Sequence, residues 1–250
     1  MDLIVVLNEY ASLFRDIADE DYISSRGNYQ LHLREQFFWA GLQALEKYLK
    51  AILLHNGKST LGYGHNLPKL VRTVREIDWL KFDAPLKVGK FLDRLNDLGD
   101  NRYLSTDSYI RPENLSELDE SVWNVRAYCR YVRVTVQTKN GTVDLTSDYV
   151  AHINSRTIHP DPRQHKPVFD SGFLDSVLKR QPRDPARRAL VWHNRFFGSP
   201  SSPSSSFTNP PYWSSARIPP NRQHWFTQDL KKLVKEFIQF PKGRNDVFEF

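Results

Sequence analysis

The sequence predicts an all-α fold, an antiparallel helical bundle followed by a Pro-rich, basic and partly helical C-terminal extension. Three observations carry that prediction. Apolar residues recur at spacings of three and four through most of the first 137 residues, the period of a helix with one buried face. The segments so marked begin at helix-capping residues and stop at glycine, as isolated helices do. Composition then changes near "QTKNGTVD". Residues 1–140 hold 19 basic and 19 acidic residues, so the entire formal charge of +6 falls in the remainder, together with twelve of the 15 prolines. Asn140-Gly141 is a strong turn signal at that break, and two regions are expected, 1–139 and 140–250.

The elements follow in order. In "LIVVLNEYASLFRDIA", Leu3, Leu7, Tyr10, Phe14 and Ile17 make one apolar face, followed by a polar link, "DEDYISSRGNYQ". "LREQFFWAGLQALEKYLKAILL" is apolar almost all round, its wet stripe limited to Gln43, Glu46, Lys47 and Lys50. So narrow a polar face predicts the central helix of the bundle, and Gly57 ends it. "GHNLPKLVRTVREI" restarts the chain with Asn66 as N-cap and Pro68 in the first turn, burying Leu67, Leu70, Val74 and Ile77. "APLKVGKFLDRLNDLG" supplies Val88, Phe91, Leu92, Leu95 and Leu98 and closes at Gly99. "SELDESVWNVRAYCRYVRVTVQ" opens with Ser116 and Asp119 at capping-box spacing and continues with Val122, Val125, Cys129, Val132 and Val136. Short connections between these five helices predict antiparallel neighbours.

Beyond residue 140 the pattern loosens. Pro160, Pro162 and Pro167 mark an extended arm, "DSGFLDSVLKR" and "DPARRALVWHNRFF" predict short helices, and "GSPSSPSSSF" is low-complexity. Asp184 and Pro185 form an N-cap and first-turn pair. "RQHWFTQDLKKLVKEFIQF" predicts a last helix. No part alternates well enough for a sheet.

Composition also excludes function classes. One cysteine, Cys129, rules out an internal disulfide and a cysteine-rich zinc cluster, and its place on an apolar helix face predicts a core residue. No apolar run approaches the ~18 residues that a membrane span needs, and no signal peptide is expected, so a cytoplasmic protein is. His152, His159, His165, His193 and His224 lack the spacing of helical metal ligands. No Gly-rich phosphate loop or nucleophile elbow occurs. No cofactor is expected.

The run "FFWAGLQALEKYLKAILLHNGKSTLGYGHNLPKLV" and the later "LNDLGDNRY" resemble the HEPN family of prokaryotic helical domains. The features are Gln43-Ala44-x-Glu46-Lys47-x-x-Lys50-Ala51, then Gly64, His65, Asn66 and Leu67, then Arg102-Tyr103 after the next helix. The likeness covers roughly residues 1–137. It implies an all-α bundle, usually dimeric, of defence and toxin–antitoxin systems, which binds or acts on RNA or nucleotides. Many members are metal-independent ribonucleases with an Arg, a polar residue and then a His, with four to six residues between the Arg and the His. Such chemistry needs a base for a 2′-hydroxyl proton and a cation for the charge that develops on the phosphate. Here Asp107, Ser108 and Tyr109 occupy the histidine positions after Arg102, and Tyr103 follows it directly. The expected role of Arg102 is therefore to clamp a phosphate or to serve the structure.

The residues expected to bind RNA or a nucleotide are Arg102, Tyr103, Arg126, Arg130, Arg133, Arg187 and Arg188. Arg126, Arg130 and Arg133 fall at i, i+4 and i+7 and would share one helix face; the alternative is a solvated face. Weak catalytic candidates are Arg102 itself, His32 (six after Arg26) and His193 (five after Arg188), spacings that chance also produces. Glu46 and Lys50 have the order of an ordinary intrahelical pair, and His65 is expected to orient the turn before Asn66. Extension aromatics, among them Trp192, Phe196, Phe197, Phe207, Tyr212, Trp213, Trp225 and Phe226, alternate with arginines. They suit docking on the bundle or stacking on single-stranded bases. Three functions remain open: a HEPN-like RNA- or nucleotide-binding protein; a divergent ribonuclease pairing Arg102 with a histidine from elsewhere; and a protein-interaction subunit. The expected partners are RNA or a nucleotide, a second copy of the chain, and a protein from the same operon, with no membrane.

Overall fold

A computed structural model describes residues 3–99, 113–130, 135–139, 141–144, 147–148, 151 and 172–198. Five helices form the bundle: α1 (Leu3–Gln30), α2 (Arg34–His55), α3 (Leu67–Arg75), α4 (Leu86–Gly99) and α5 (Asn114–Arg126). A hairpin follows, β1 (Thr135–Thr138) and β2 (Gly141–Asp144), then two short helices, α6 (Phe173–Leu178) and α7 (Pro185–Val191). The class is all-α. The two-stranded hairpin departs from the expectation of no sheet, and its antiparallel register pairs Thr138 with Gly141.

Helix α2 is central, packing against α1, α3, α4 and α5. Phe37, Phe38, Leu42, Leu45, Tyr48, Leu49 and Ile52 are all buried, which is what its narrow polar stripe predicts. It stops where Gly57 takes a left-handed φ of 65°, a conformation that costs glycine little. Helix α3 starts as expected: the Asn66 side chain accepts from the Lys69 amide at 2.9 Å, filling one of the orphan donors of a helix start. Asp184 does the same for α7, accepting from the Arg187 amide at 3.0 Å.

Two expectations are corrected. The first concerns α1, which runs 28 residues and absorbs the whole polar link. Its buried face departs from the apolar stripe. Of that stripe Tyr10 and Ile17 are exposed and Phe14 packs partly buried against the core, while Ala11, Arg15, Ala18, Asp19, Tyr22, Ser25, Arg26 and Tyr29 are buried. Polar residues lie inside here because each meets a partner that the linear pattern cannot show. The second concerns α5, which ends at Arg126 rather than continuing through Gln137. No side chain caps its start, and Asp119 is buried against Arg26 instead of serving a capping box.

Those partners form two buried ion pairs. Arg26, fully buried, donates to Asp119 Oδ1 and to the carbonyls of Ala189 and Trp192. Tyr22 donates to the same Asp119 oxygen at 2.6 Å and accepts from Asn194 Nδ2 at 2.8 Å. Asp19 receives Arg126 Nε and Nη2 at 2.6 and 2.8 Å, the Tyr48 hydroxyl at 2.7 Å and the Leu174 amide at 2.9 Å. Burial raises the Asp119 carboxyl above its ordinary range, opposed by the Arg26 guanidinium. Residues 172–198 therefore supply donors and acceptors that the bundle's interior charges require. They also add Leu174, Val177, Leu190, Phe196 and Phe197 to the same core, so core packing does not follow the compositional break at residue 140. Gly172 seats this segment. At φ 115°, a Cβ there would lie 2.7 Å from Arg126 Nη2 and 3.0 Å from Arg15 Nε.

Two outcomes follow. Arg26→Met leaves the Asp119 carboxylate buried without its cation and lowers unfolding free energy by about 3–5 kcal/mol, while Arg26→Met/Asp119→Leu recovers most of the loss; urea denaturation measures both. His55 is buried, with Nδ1 2.8 Å from Asn8 Oδ1. Burial, with Arg15 as the lesser cause, lowers its imidazole to about 4. Between that value and the unfolded value of about 6.5 the unfolded chain binds the extra proton. Stability should thus fall as pH drops through this window, by at most about 3 kcal/mol, and His55→Leu should flatten that part of the melting-temperature profile.

Candidate functional site

The polar stripe of α2 and the loop that follows it converge on one surface. Glu46 is buried, its side chain 6% exposed, yet both oxygens are engaged: Lys50 Nζ lies 2.5 Å from Oε1 and His65 Nδ1 lies 2.6 Å from Oε2. Gln43 Nε2 is also 3.3 Å from His65 Nδ1. The shorter contact decides the tautomer, because a carboxylate only accepts and so the proton sits on Nδ1. Nε2 then carries the lone pair, and it has no hydrogen-bond partner among the described residues. The His65 side chain is 46% exposed, with the edge of Trp39 packed on it at a centroid distance of 5.4 Å. Lys47 bridges Asp21 at 2.5 Å and Gln43 at 3.2 Å, which ties this cluster to α1.

Loop geometry presents the imidazole. Gly62 and Gly64 both have left-handed φ, 78° and 54°, bending the chain so that His65 returns over α2. Lys69 Nζ donates to the Gly62 carbonyl at 3.1 Å and stands 5.0 Å above the Tyr63 ring. From there α3 presents Lys69, Arg72 and Arg75 to solvent, one turn apart, while Leu70, Val71 and Val74 are buried. Between Glu46 and Glu76 the chain has six basic residues, Lys47, Lys50, Lys58, Lys69, Arg72 and Arg75, and no acidic one. That acid-free tract was legible in the sequence but is diluted by the balanced charge of the first 140 residues.

The same end of the bundle carries the end of α4. The Leu67 amide donates to the buried Asn96 Oδ1 at 3.0 Å, so the last turn of α4 lies against the start of α3, two residues after His65. Arg102, Tyr103 and Arg133 lie outside the described residues, as do the extension's residues from 199 onward.

The expected strip of three guanidiniums on one helix face does not form. Helix α5 ends at Arg126, whose side chain is 3% exposed and locked on Asp19, so it faces the core and not a ligand. Arg130 lies on the bend after the helix, half-buried. The Arg26–His32 spacing is not a site either. Arg26 is consumed by Asp119, Ala189 and Trp192, whereas His32 is exposed on the α1–α2 turn with φ 65°. In the extension, Arg187 Nε donates to the Leu178 carbonyl at 3.1 Å and joins α6 to α7. Arg188 and His193 are exposed, and His193 packs its ring edge-on to Trp192 at 4.4 Å. The aromatics of this segment dock: Phe196 and Phe197 lie 5.8 and 5.6 Å from Trp123, and Phe197 lies 5.6 Å from Tyr22. Cys129 is a core thiol, pushed up to about 12 by burial, with Sγ 3.3 Å from the Tyr48 carbonyl it donates to. No group of three or more His, Cys, Asp or Glu side chains among the described residues is arranged to hold a metal ion. No helix among them is long and apolar enough to cross a membrane.

Residues 11–132 match the family model described as HEPN domain. Comparison with curated proteins and with solved structures gives no match.

Proposed function

Residues 11–132 are a HEPN domain, and on that premise we propose that this protein binds RNA or a nucleotide through its phosphates, at the surface formed by the α2–α3 loop and the exposed face of α3. One observation carries the reading: the acid-free tract from Lys47 to Arg75 puts Lys69, Arg72 and Arg75 in solvent, with Lys69 over the Tyr63 ring. Cations neutralise phosphates and aromatic faces stack on bases, a combination that suits single strands. In this reading Arg102 with Tyr103 serves as a phosphate clamp, and exposed Arg188 is a further cation for phosphate. The cellular setting that fits a HEPN domain is a prokaryotic defence or toxin–antitoxin system in the cytoplasm.

A second reading, contact with another protein or with a second copy of the chain, is favoured by α1. Tyr10, Leu13 and Ile17 are 56%, 57% and 47% exposed and recur at helical spacing, an unpartnered apolar stripe of the kind that marks association sites.

Each reading has a direct measurement. The affinity of the full chain for a labelled single-stranded RNA should fall steeply with salt, log K declining by about 0.7 per phosphate contact for each decade of salt. Lys69→Glu/Arg72→Glu should weaken binding at least about tenfold and make that slope shallower by about 1.4, from two lost contacts. Salt-independent binding, or a double variant that binds as wild type does, contradicts the RNA reading. If α1 is an association surface, Leu13→Lys should shift the mass measured by light scattering toward the monomer without lowering the melting temperature.

A further inference from the structure

We infer that residues 222–240 fold back on α1 as an amphipathic helix and cover the exposed stripe of Tyr10, Leu13 and Ile17 within the same chain. The inference rests on the second reading above only for the exposure of that stripe, and it names a different occupant.

The outer side of α1 is apolar with an acidic edge. Glu9, Asp16 and Glu20, seven and four residues apart, run along the helix beside Leu13 and Ile17. Glu9 and Glu20 are exposed and have no ion-pair partner among the described residues. The two arginines of α1 face inward, since Arg15 and Arg26 are buried. Helices α2, α5, α6 and α7 pack on the other side of α1, so a cover for the stripe has to come from outside the described residues.

Residues 222–240 carry the complementary pattern. Phe226, Leu230, Leu233, Val234, Phe237 and Ile238 share one face at helical spacing. Lys231 and Lys235, one turn apart, stand three residues before Val234 and Ile238 and give that face a basic edge. A helix over 226–238 is about 20 Å long, whereas Tyr10 to Ile17 takes up about 12 Å of α1, so one face covers the whole stripe. The exposed face of α3 is no rival seat: Lys69, Arg72 and Arg75 repel the same lysines.

The tether selects the same chain. Phe197 lies 5.6 Å from Tyr22, so the last described residues already stand beside α1. From there residues 199–221 can reach at most about 80 Å, far more than the stripe demands. A tethered segment meets its seat at an effective concentration that a second copy in dilute solution does not match. A protein or a second copy that uses α1 must then displace this segment first.

The test puts a photoreactive benzophenone side chain in place of Leu13 in the full chain. Irradiation in dilute solution is followed by gel analysis of the product's mass and by mass-spectrometric mapping of the linked peptide. The expected product has the mass of one chain and joins position 13 to a residue between 222 and 240. A product with the mass of two chains overturns the inference and leaves the association reading standing. A link to any other segment, or no link, overturns it as well. Chymotrypsin cleavage after Phe226, Leu230, Leu233 and Phe237 reads the same contact, because a docked helix is cut only while it is open. Ile17→Lys should speed that cleavage at least about tenfold, with circular dichroism confirming that the bundle folds. Lys231→Glu/Lys235→Glu should speed it roughly threefold, the scale of exposed ion pairs, and adding Glu9→Lys/Glu20→Lys should bring the rate back toward wild type. One cleavage rate shared by wild type and all these variants overturns the inference.

Discussion

Four charges inside the bundle constrain everything else. Asp19 and Arg26 sit on α1, Arg126 and Asp119 on α5, and all four are almost wholly removed from solvent. A buried charge is tolerable only when paired and hydrogen-bonded. The pairs Asp19–Arg126 and Arg26–Asp119 meet that condition across sequence separations of 107 and 93 residues. They leave further capacity on Asp19 and on the Arg26 guanidinium, which the segment 172–198 fills through Leu174, Ala189 and Trp192. The extension is thereby bound to the bundle by polar complementarity as well as by its rings. Replacing any one partner leaves the others uncompensated in a low-dielectric interior, which gives the arrangement its specificity.

The same network explains why Arg126 is not part of a phosphate surface. Arg15, Arg26 and Arg126 are interior residues, and Arg187 braces the extension. Among the exposed basic residues are Lys58 on the loop after α2 and Lys69, Arg72 and Arg75 along α3. There the local chain is free of acids, glycines permit the turns, and the first turn of α3 is capped by Asn66. The central helix and the glycine-bearing loop that follows it hold His65 against Glu46.

Much of the fold was legible in the residues. The near-continuous apolar surface of α2, the stop at Gly57, the Asn66 and Asp184 caps and the core stripe of α4 all follow from local periodicity and capping, and all occur. The HEPN resemblance rests on the order of the α2 motif, the His-Asn-Leu turn and the helix that precedes Arg102. The misjudged parts share one cause. Tyr10 and Ile17 outrank Asp19 and Arg26 in hydrophobicity, so the pattern draws into the buried face of α1 two residues that are exposed; Ser116 and Asp119 have cap spacing, yet Asp119 is claimed by Arg26. At the site, Glu46, Lys50 and His65 were visible individually as a helix pair and a turn residue. Their juxtaposition across 19 residues was not.

Local chemistry by itself therefore determined that this chain is helical, where α2 and α3 begin and end, that one cysteine belongs in the core, and that roughly residues 1–137 resemble a HEPN domain. Tertiary structure decided which polar residues are interior, that residues 172–198 share the bundle's core, and that an imidazole stands on a buried carboxylate at the end of α4. The division has a physical origin. Helix periodicity and capping are set by neighbours within about four residues, whereas the fate of a charge depends on which distant group arrives to pair with it.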